Sequence, residues 1–316
     1  MRAKVSVCIP VYNVANYMER CARTLFGQTL AEIEYIFVDD CSPDDSIGIL
    51  QKVLMEYPHR QKQVQIIRHE TNRGLAAARS TALKHAGGEY IIHCDSDDWV
   101  ELDMYEKMYL AATTAAADIC YCPYILDDGG KRRRVVNIPE CQTAGELLHR
   151  ILQNNRHWNL WAKLVKAEIA RAADFYRPEH ICFGEDLLFS AQMLSRAGRV
   201  VCCPVPLYHY FNANTGSYTR TFRRTSRDQL AEVVIFLEQQ LPPQYDLTAC
   251  RAEVLFKDVF YALVTRQEFR DYSCHRRRKI LAAPGFPIAK KVILAGAFVN
   301  YPLTAWLLKL CRFCMQ

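Results

Sequence analysis

Along the first 125 residues, short apolar runs alternate with stretches in which apolar residues recur every three or four positions. Lys4 to Pro10 (KVSVCIP) is a β-type run, followed by a loop from Val11 to Asn16. Tyr17 to Gln28 carries Cys21 and Leu25 at helical spacing. Ile33 to Val38 (IEYIFV) is near-continuously apolar, as a strand buried on both faces would be, and it breaks into the polar stretch Asp39 to Asp45. Ser46 to Tyr57 places Ile47, Leu50 and Leu54 on one helical face. Val64 to Arg68 reads as a strand, Gly74 to Ala86 as an Ala- and Leu-rich helix, and Glu89 to Cys94 (EYIIHC) as a strand that runs into Asp95-Ser96-Asp97-Asp98. A helix over Met104 to Ala116 and a strand over Asp118 to Tyr124 complete the pattern. Strands alternating with helices predict an α/β class, with a mostly parallel sheet covered by helices on both faces.

Beyond residue 125 the alternation loosens. Asp127 to Arg134 (DDGGKRRR) reads as a polar turn or hairpin connection. Thr143, with Glu146 three residues on, has the arrangement of a capping box for a helix to Leu152. Trp158 to Ala173 reads as one aromatic, then amphipathic segment, and Glu185 to Arg196 as a helix opening on two acids. Val200 to Tyr210 looks extended, Asn212 to Thr221 looks like a loop, and Asp228 to Gln240 and Thr248 to Arg266 look helical. The expected division is a catalytic body over 1–222, with halves 1–100 and 101–222, and a helical C-terminal region over 223–316.

Composition narrows the class. Half of the 316 residues are hydrophobic and 23% are charged, which excludes global disorder. The net charge of +6 is unevenly placed: residues 257–316 alone sum to +8. Nucleic-acid binding calls for a basic stripe over the body of a fold, so a nucleic-acid partner is not expected, whereas a terminal excess fits an anionic membrane surface. Within that region Val292 to Leu308 is apolar but interrupted by Asn300, Pro302 and Thr304, short of the ~20 apolar residues a span needs. Three readings stand for it: an interfacial membrane helix, a helix packed on the body or on a second copy in a homodimer, and a span. The 14 cysteines show no paired CxxC motifs for zinc, and the first ten residues do not read as a secretory signal, so the expected location is cytoplasmic, with peripheral attachment to the cytosolic face of the inner membrane as the variant the tail raises.

Three expected strands end in polar chemistry, at Pro10 to Asn13, Asp39 to Ser42 and Asp95 to Asp98, and open α/β sheets bind ligands at those ends. Asp95-Ser96-Asp97 suits a hard divalent cation shared with substrate phosphates, although a helix cap or surface turn produces the same letters. Asp39 and Asp40 can accept from a base N–H or a ribose hydroxyl, or simply start a turn. Neither GxGxxG nor GxxxxGK[ST] occurs, so a bound diphosphate would need a metal and basic side chains. Asn72 to Arg79 (NRGLAAAR) leads into a small-residue helix from which Arg79 could reach a carboxylate or phosphate. In Gly184-Glu185-Asp186 the acids suit a helix N-terminus, and one of them suits a general base. Trp158, Trp161 and Lys163 stand upstream as sugar-facing candidates or as core.

Taken together, VSVCIPVYNVANYM (5–18), FVDDCSPDDS (37–46), NRGLAAAR (72–79), GEYIIHCDSDDW (88–99), WAKLVK (161–166) and GEDLLF (184–189) resemble the inverting nucleotide-sugar glycosyltransferases of family two, with the GT-A fold and its Rossmann-like sheet. The resemblance implies that Pro10, Tyr12, Asp39, Asp40, Asn72, Arg79, Asp95 and Ser96 line a nucleotide-sugar site, and that Asp97 ligates Mn²⁺ or Mg²⁺. It implies Asp186 as the general base, with Glu185 beside it. It extends more loosely to Trp161, Lys163, His209, Ser217 and Arg220 as acceptor or diphosphate contacts. The implied partners are a nucleoside diphosphate sugar, with uridine the expected base, and a glycan or lipid-linked saccharide acceptor. This chain has Cys41 where the family usually has Gly, and Ser96 between its two acids. A nucleotidyltransferase would bring a glycine-rich basic loop near the first strand, which Pro10 to Asn16 lacks. A non-catalytic nucleotide-sugar-binding protein is the other alternative.

Overall fold

The computed structural model describes residues 2–130, 133–154, 157–174, 180–214, 224–265 and 288–299. The chain divides into two units, Met1–Leu147 with Asn159–Thr221, and Leu148–Trp158 with Phe222–Gln316.

The first unit is built on a seven-stranded sheet. Its strands are β1 (Val5–Val11), β2 (Ile33–Asp39), β3 (Val64–Arg68), β4 (Tyr90–His93), β6 (Ile119–Tyr121), β9 (Lys163–Lys166) and β10 (Val200–Cys202), in the order β10-β6-β9-β4-β1-β2-β3. β1 pairs in parallel with β2 and β4, and β2 with β3; only β9 runs antiparallel, between β4 and β6. The expected mostly parallel sheet is therefore present. Every residue of β1 is buried, as expected of a central strand whose sequence is a nearly continuous apolar run. A second, four-stranded sheet is ordered β5-β11-β7-β8, from Trp99–Val100 (β5), Tyr124–Asp127 (β7), Arg133–Val136 (β8) and Tyr208–Phe211 (β11).

Two sequence expectations are corrected here. Asp118 to Tyr124 is not one strand: Pro123, which lacks an N–H for the ladder, separates β6 from β7, and the two belong to different sheets. Trp158 to Ala173 is not one amphipathic segment but holds β9 and then α6 (Ala167–Asp174).

The helices α1 (Ala15–Phe26), α2 (Ser46–Met55), α3 (Leu75–His85), α4 (Met104–Thr114) and α7 (Glu185–Arg196) lie close to their expected bounds. α1 is amphipathic, burying Met18, Cys21, Ala22, Leu25 and Phe26. Phe26 sits 5.5, 6.1 and 5.8 Å from the rings of Tyr35, Phe37 and Tyr57, so truncating it to Ala would cost about 3–5 kcal/mol. The N-terminus of α1 is capped by the loop before α2 and by the first residue of α2: Asp44 Oδ2 accepts from the Ala15 N–H at 2.8 Å and Ser46 Oγ from the Val14 N–H at 3.0 Å. In α5 (Ala144–Asn154), Thr143 Oγ1 accepts from the Glu146 N–H at 3.2 Å, the expected cap.

In the second unit, α8 (Arg224–Gln240), α9 (Thr248–Thr265) and α10 (Ile288–Val299) carry the apolar positions. Leu294 of α10 is buried, and Lys290 Nζ reaches Glu253 of α9 at 2.6 and 2.7 Å, whereas Ile288 and Val292 are exposed. No described helix is long and apolar enough to cross a membrane.

Candidate active site

The parallel pairing brings the ends of β1, β2 and β4 to one edge. The Asp40 N–H donates to Val11 O at 3.0 Å, the Cys94 N–H to Cys8 O at 3.0 Å, and Ser96 Oγ to Pro10 O at 2.7 Å. The acids after β2 and β4 thus flank the end of one central strand.

After β4 the chain turns tightly, with the Asp98 N–H donating to Asp95 O at 3.1 Å. The three acids of this turn have separate fates. Asp98 is fully buried, accepting from Tyr208 Oη at 2.6 Å and from the Phe211 N–H at 2.7 Å, and burial pushes its carboxyl well above the ordinary value. The Tyr208 phenol also accepts from the Asp95 N–H at 3.1 Å, so Asp98 and Tyr208 anchor the turn. Asp95 stays partly exposed and accepts from Arg79 Nη2 at 2.7 Å. Asp97 accepts from Asn214 Nδ2 at 2.8 Å; burial and neighbouring Asp95 push its carboxyl upward. A cation beside it would relieve that penalty.

At the end of β2 the two acids also differ. Asp40 Oδ1 accepts from the Arg73 N–H at 2.8 Å and lies 2.7 Å from His69 Nδ1, while Oδ2 accepts from the Gly74 N–H at 2.8 Å. Asp40 therefore fixes the loop that carries Asn72 into α3. Gly74 has φ 87°, and a Cβ there would stand 2.7 Å from Cys182 Sγ, so only glycine fits. Asp39 accepts from the Ser42 N–H at 2.8 Å and lies 3.4 Å from Arg68 Nε. Between them and Ser42 stands Cys41, held at φ 58°. Tyr12 is 49% exposed and Asn72 is exposed, at the same edge.

Arg79, buried on α3, joins the acid turn to α7. Its Nη1 donates to Glu185 Oε1 at 2.7 Å as its Nη2 donates to Asp95. Burial pulls the guanidinium down, but Asp95 and Glu185 outweigh it and hold it above its ordinary value. Asp186 follows, its Oδ1 accepting from the Leu187 N–H at 2.9 Å. Burial raises the Asp186 carboxyl, with Arg79 and Lys163 pulling the other way. Lys163 is almost wholly buried on β9, its Nζ donating to Asn159 O; burial lowers it to about 7, opposed by Asp186. Because β9 runs antiparallel, its first residue lies beside Tyr121, the last of β6.

The looser expectations fare differently. The Trp161 ring is stacked on Tyr208 at 4.2 Å and Tyr210 at 5.5 Å and meets Tyr124 edge-on at 4.8 Å, so it is a packing element rather than an open sugar platform. His209 stacks on Trp99 at 4.8 Å, with Nε2 2.7 Å from Glu101 Oε1. Ser217 and Arg220 lie outside the described residues. Asn214 and Arg20 shape the site without a sequence signal of their own, whereas Asp98 lay in the acidic run and Tyr208 in the late aromatic stretch, neither with a role assigned to it.

Among the described residues no group of three or more His, Cys, Asp or Glu is arranged to hold a metal. A divalent ion shared with a substrate diphosphate takes only one or two carboxylates from protein, and Asp95 and Asp97, neither fully buried, supply that number. The donor set fits such an ion.

Residues 6–172 match the model of glycosyl transferase family 2, and the chain belongs to that family. The uncharacterized glycosyltransferase EpsJ of Bacillus subtilis is 31% identical over 71% of this chain, and the match spans 65% of that relative, just under two thirds of its length. Among solved structures, S. aureus TarS 1-349 in complex with UDP-GlcNAc superposes with a TM-score of 0.65 at 20% identity, over 94% of this chain and 87% of that one. The mannosyltransferase PcManGT of Pyrobaculum calidifontis, in complex with GDP-Man and Mn²⁺, gives 0.52 at 16% identity over 100% and 81%. The fold is thus the Rossmann-like GT-A fold.

Proposed function

We propose that the protein is an inverting glycosyltransferase that moves a sugar from a nucleoside diphosphate sugar, with uridine as the base, to a hydroxyl of a glycan or lipid-linked saccharide. The observation that carries this reading is the single edge at which Asp39, Asp95 and Asp97 gather, tied through Arg79 to the acids that open α7. The UDP-GlcNAc of the TarS structure supports the uridine reading.

In this mechanism Tyr12 and Asp39 receive the base. Asp40, expected at the base itself, instead holds the loop behind them through the Arg73 and Gly74 N–H groups. Asp97 would hold Mn²⁺ or Mg²⁺, with Asp95 beside it toward the ribose and diphosphate. When bound, that ion offsets the charge that develops on the departing nucleoside diphosphate. Asp186 accepts the proton of the acceptor hydroxyl as its oxygen attacks the anomeric carbon from the face opposite the leaving group. A carboxyl raised by burial is a better proton acceptor than an ordinary aspartate. Arg79 keeps Glu185 and Asp95 fixed around it. The test is a screen of nucleotide sugars for release of nucleoside diphosphate with Mn²⁺ and with EDTA, followed by linkage analysis. Release that is identical with EDTA would remove the metal from the mechanism, and no release with any donor would remove the transferase reading.

Residues 257–316, with their +8 balance, are proposed to bring the enzyme to an anionic membrane surface carrying its acceptor, at the cytosolic face. The exposed Ile288 and Val292, one helical turn apart, support it. Packing of this region against a second copy is the competing outcome.

A further inference from the structure

One face of α1 meets the acid turn and the residues flanking it from four positions spaced i, i+3, i+4 and i+7. Tyr17 Oη lies 3.4 Å from Asn214 Oδ1, and Asn214 Nδ2 holds the Asp97 carboxylate. Arg20 Nη2 donates to Asp97 O at 3.0 Å. Cys21 Sγ lies 3.9 Å from Asp95 O, and Thr24 Oγ1 accepts from the Val100 N–H at 3.3 Å. Within this row Arg20 is set apart. Its guanidinium lies 3.6 Å from the Trp99 ring centre and 4.7 Å from that of Phe211. Trp99 is backed in turn by His209, stacked at 4.8 Å and tethered to Glu101. Among the described residues, the buried Arg20 Nε finds no hydrogen-bond partner.

A buried donor left unmade is a cost to folding, and a free surface position for an arginine would avoid it. What the arrangement gains is a planar cation clamped by aromatic rings, with one N–H committed to the backbone of Asp97. A guanidinium held this way has little freedom left to lose, and its fork geometry fixes the direction of the bond. Asp97 is thereby gripped twice, at its carbonyl by Arg20 and at its carboxylate by Asn214.

The geometry points to Arg20 as a positioning residue for the donor site: through the stack Arg20–Trp99–His209 it fixes the backbone of Asp97, and so the orientation of the carboxylate that meets the cation and diphosphate. The inference rests on the reading of Asp97 as the cation-binding acid. It also gives His209 a role as the back wall of the stack.

The test is calorimetric titration of the full chain with UDP, in Mn²⁺ and in EDTA, for the wild type, Arg20→Gln and Arg20→Lys. Loss of an outer support of a metal-binding group costs about 10–100-fold in metal affinity, so Arg20→Gln should lose that much of the Mn²⁺-dependent gain in UDP affinity while binding in EDTA stays within about twofold. Arg20→Lys, which keeps the charge but not the planar fork, should recover only part of it. If Arg20→Gln shows no cooperative melt, Arg20→Lys decides alone, a loss of about threefold or more supporting the proposal. A full wild-type Mn²⁺ gain in the folded variants would overturn the positioning role alone. A wild type with no Mn²⁺ gain at all would show instead that the metal reading fails, and the positioning role would fall with it.

Discussion

Arg79 Nη1 donates to Glu185 Oε1 at 2.7 Å, joining two buried side chains that stand 106 residues apart in the sequence. The other guanidinium arm holds Asp95, so one cation spans the turn after β4 and the first turn of α7. A buried cation between two carboxylates is tolerated because each charge is paired, and removing the cation leaves two acids facing each other.

Arg79→Met should therefore destabilise the protein by about 3–5 kcal/mol, the scale for breaking a buried ion pair from one side. Glu185→Gln, which leaves Arg79 paired with Asp95, should cost less. Urea midpoints at constant m would check the order; equal losses would mean that the bridge is not the shared element.

For Asp186 the expectation concerns pH. Its carboxyl is raised by burial, and a base works only when deprotonated, so kcat at saturating donor should fall as pH drops through a midpoint above the ordinary aspartate value of about 3.9. Asp186→Asn should lower transfer by about 10²-fold or more and abolish that limb while keeping donor binding. A variant with near-wild-type transfer would reject the assignment.

Lys163 gives a stability signature. Burial lowers it to about 7 in the fold, whereas the unfolded chain titrates it near 10.4. Between those values the unfolded state binds more protons, so this group makes folding more favourable as pH rises through the window. From pH 6.5 to 9.5, wild type should gain roughly 2–3 kcal/mol relative to Lys163→Met. A gap in urea midpoints that does not change with pH would show that the amine does not titrate there.

Cys41 occupies a left-handed backbone position, φ 58°, that costs a residue with a Cβ about 1–2 kcal/mol. Part of that gain is lost to the greater freedom of glycine in the unfolded chain. Cys41→Gly should raise stability by about 0.5–1 kcal/mol, seen as a Tm increase of roughly 1–4 °C. An unchanged or lower Tm would show that the thiol makes contacts worth more than the strain.

Membrane attachment is checked by co-sedimentation with anionic liposomes of the full chain and of a version ending at Pro284. The full chain should pellet at low salt and be released at high salt, as screened Lys and Arg contacts require. Equal recovery of both versions would defeat the anchor.

The central strands and the acids at their ends were legible because burial on both faces makes β1, β2 and β4 predominantly apolar, so the change to Asp-rich loops is abrupt. β9 was not legible: its four residues, two of them lysines, leave no period to read, and its place is set by pairing with Tyr90–Ile91 and Ile119–Tyr121 far along the chain. For Trp161 the sequence left a sugar-facing and a core reading open, because the rings stacked on it, Tyr208 and Tyr210, come from a strand much later in sequence. Asp95, Asp97 and Asp98 are the same letter, and only the arrival of Tyr208 and Asn214 gives each a different task.

The antiparallel β9 has a further consequence, for the order in which the chain is made. A ribosome releases β1 to β4 well before β9, and β6 has no partner on that side until Lys163–Lys166 emerges. Over that interval the apolar β4 (YIIH) presents an open edge, the kind of surface on which chains join one another. The strand that joins β4 to β6 is thus also the one that covers this edge of β4, and a stall in synthesis before residue 163 leaves it open, while β6 keeps a free edge until Val200–Cys202 emerges.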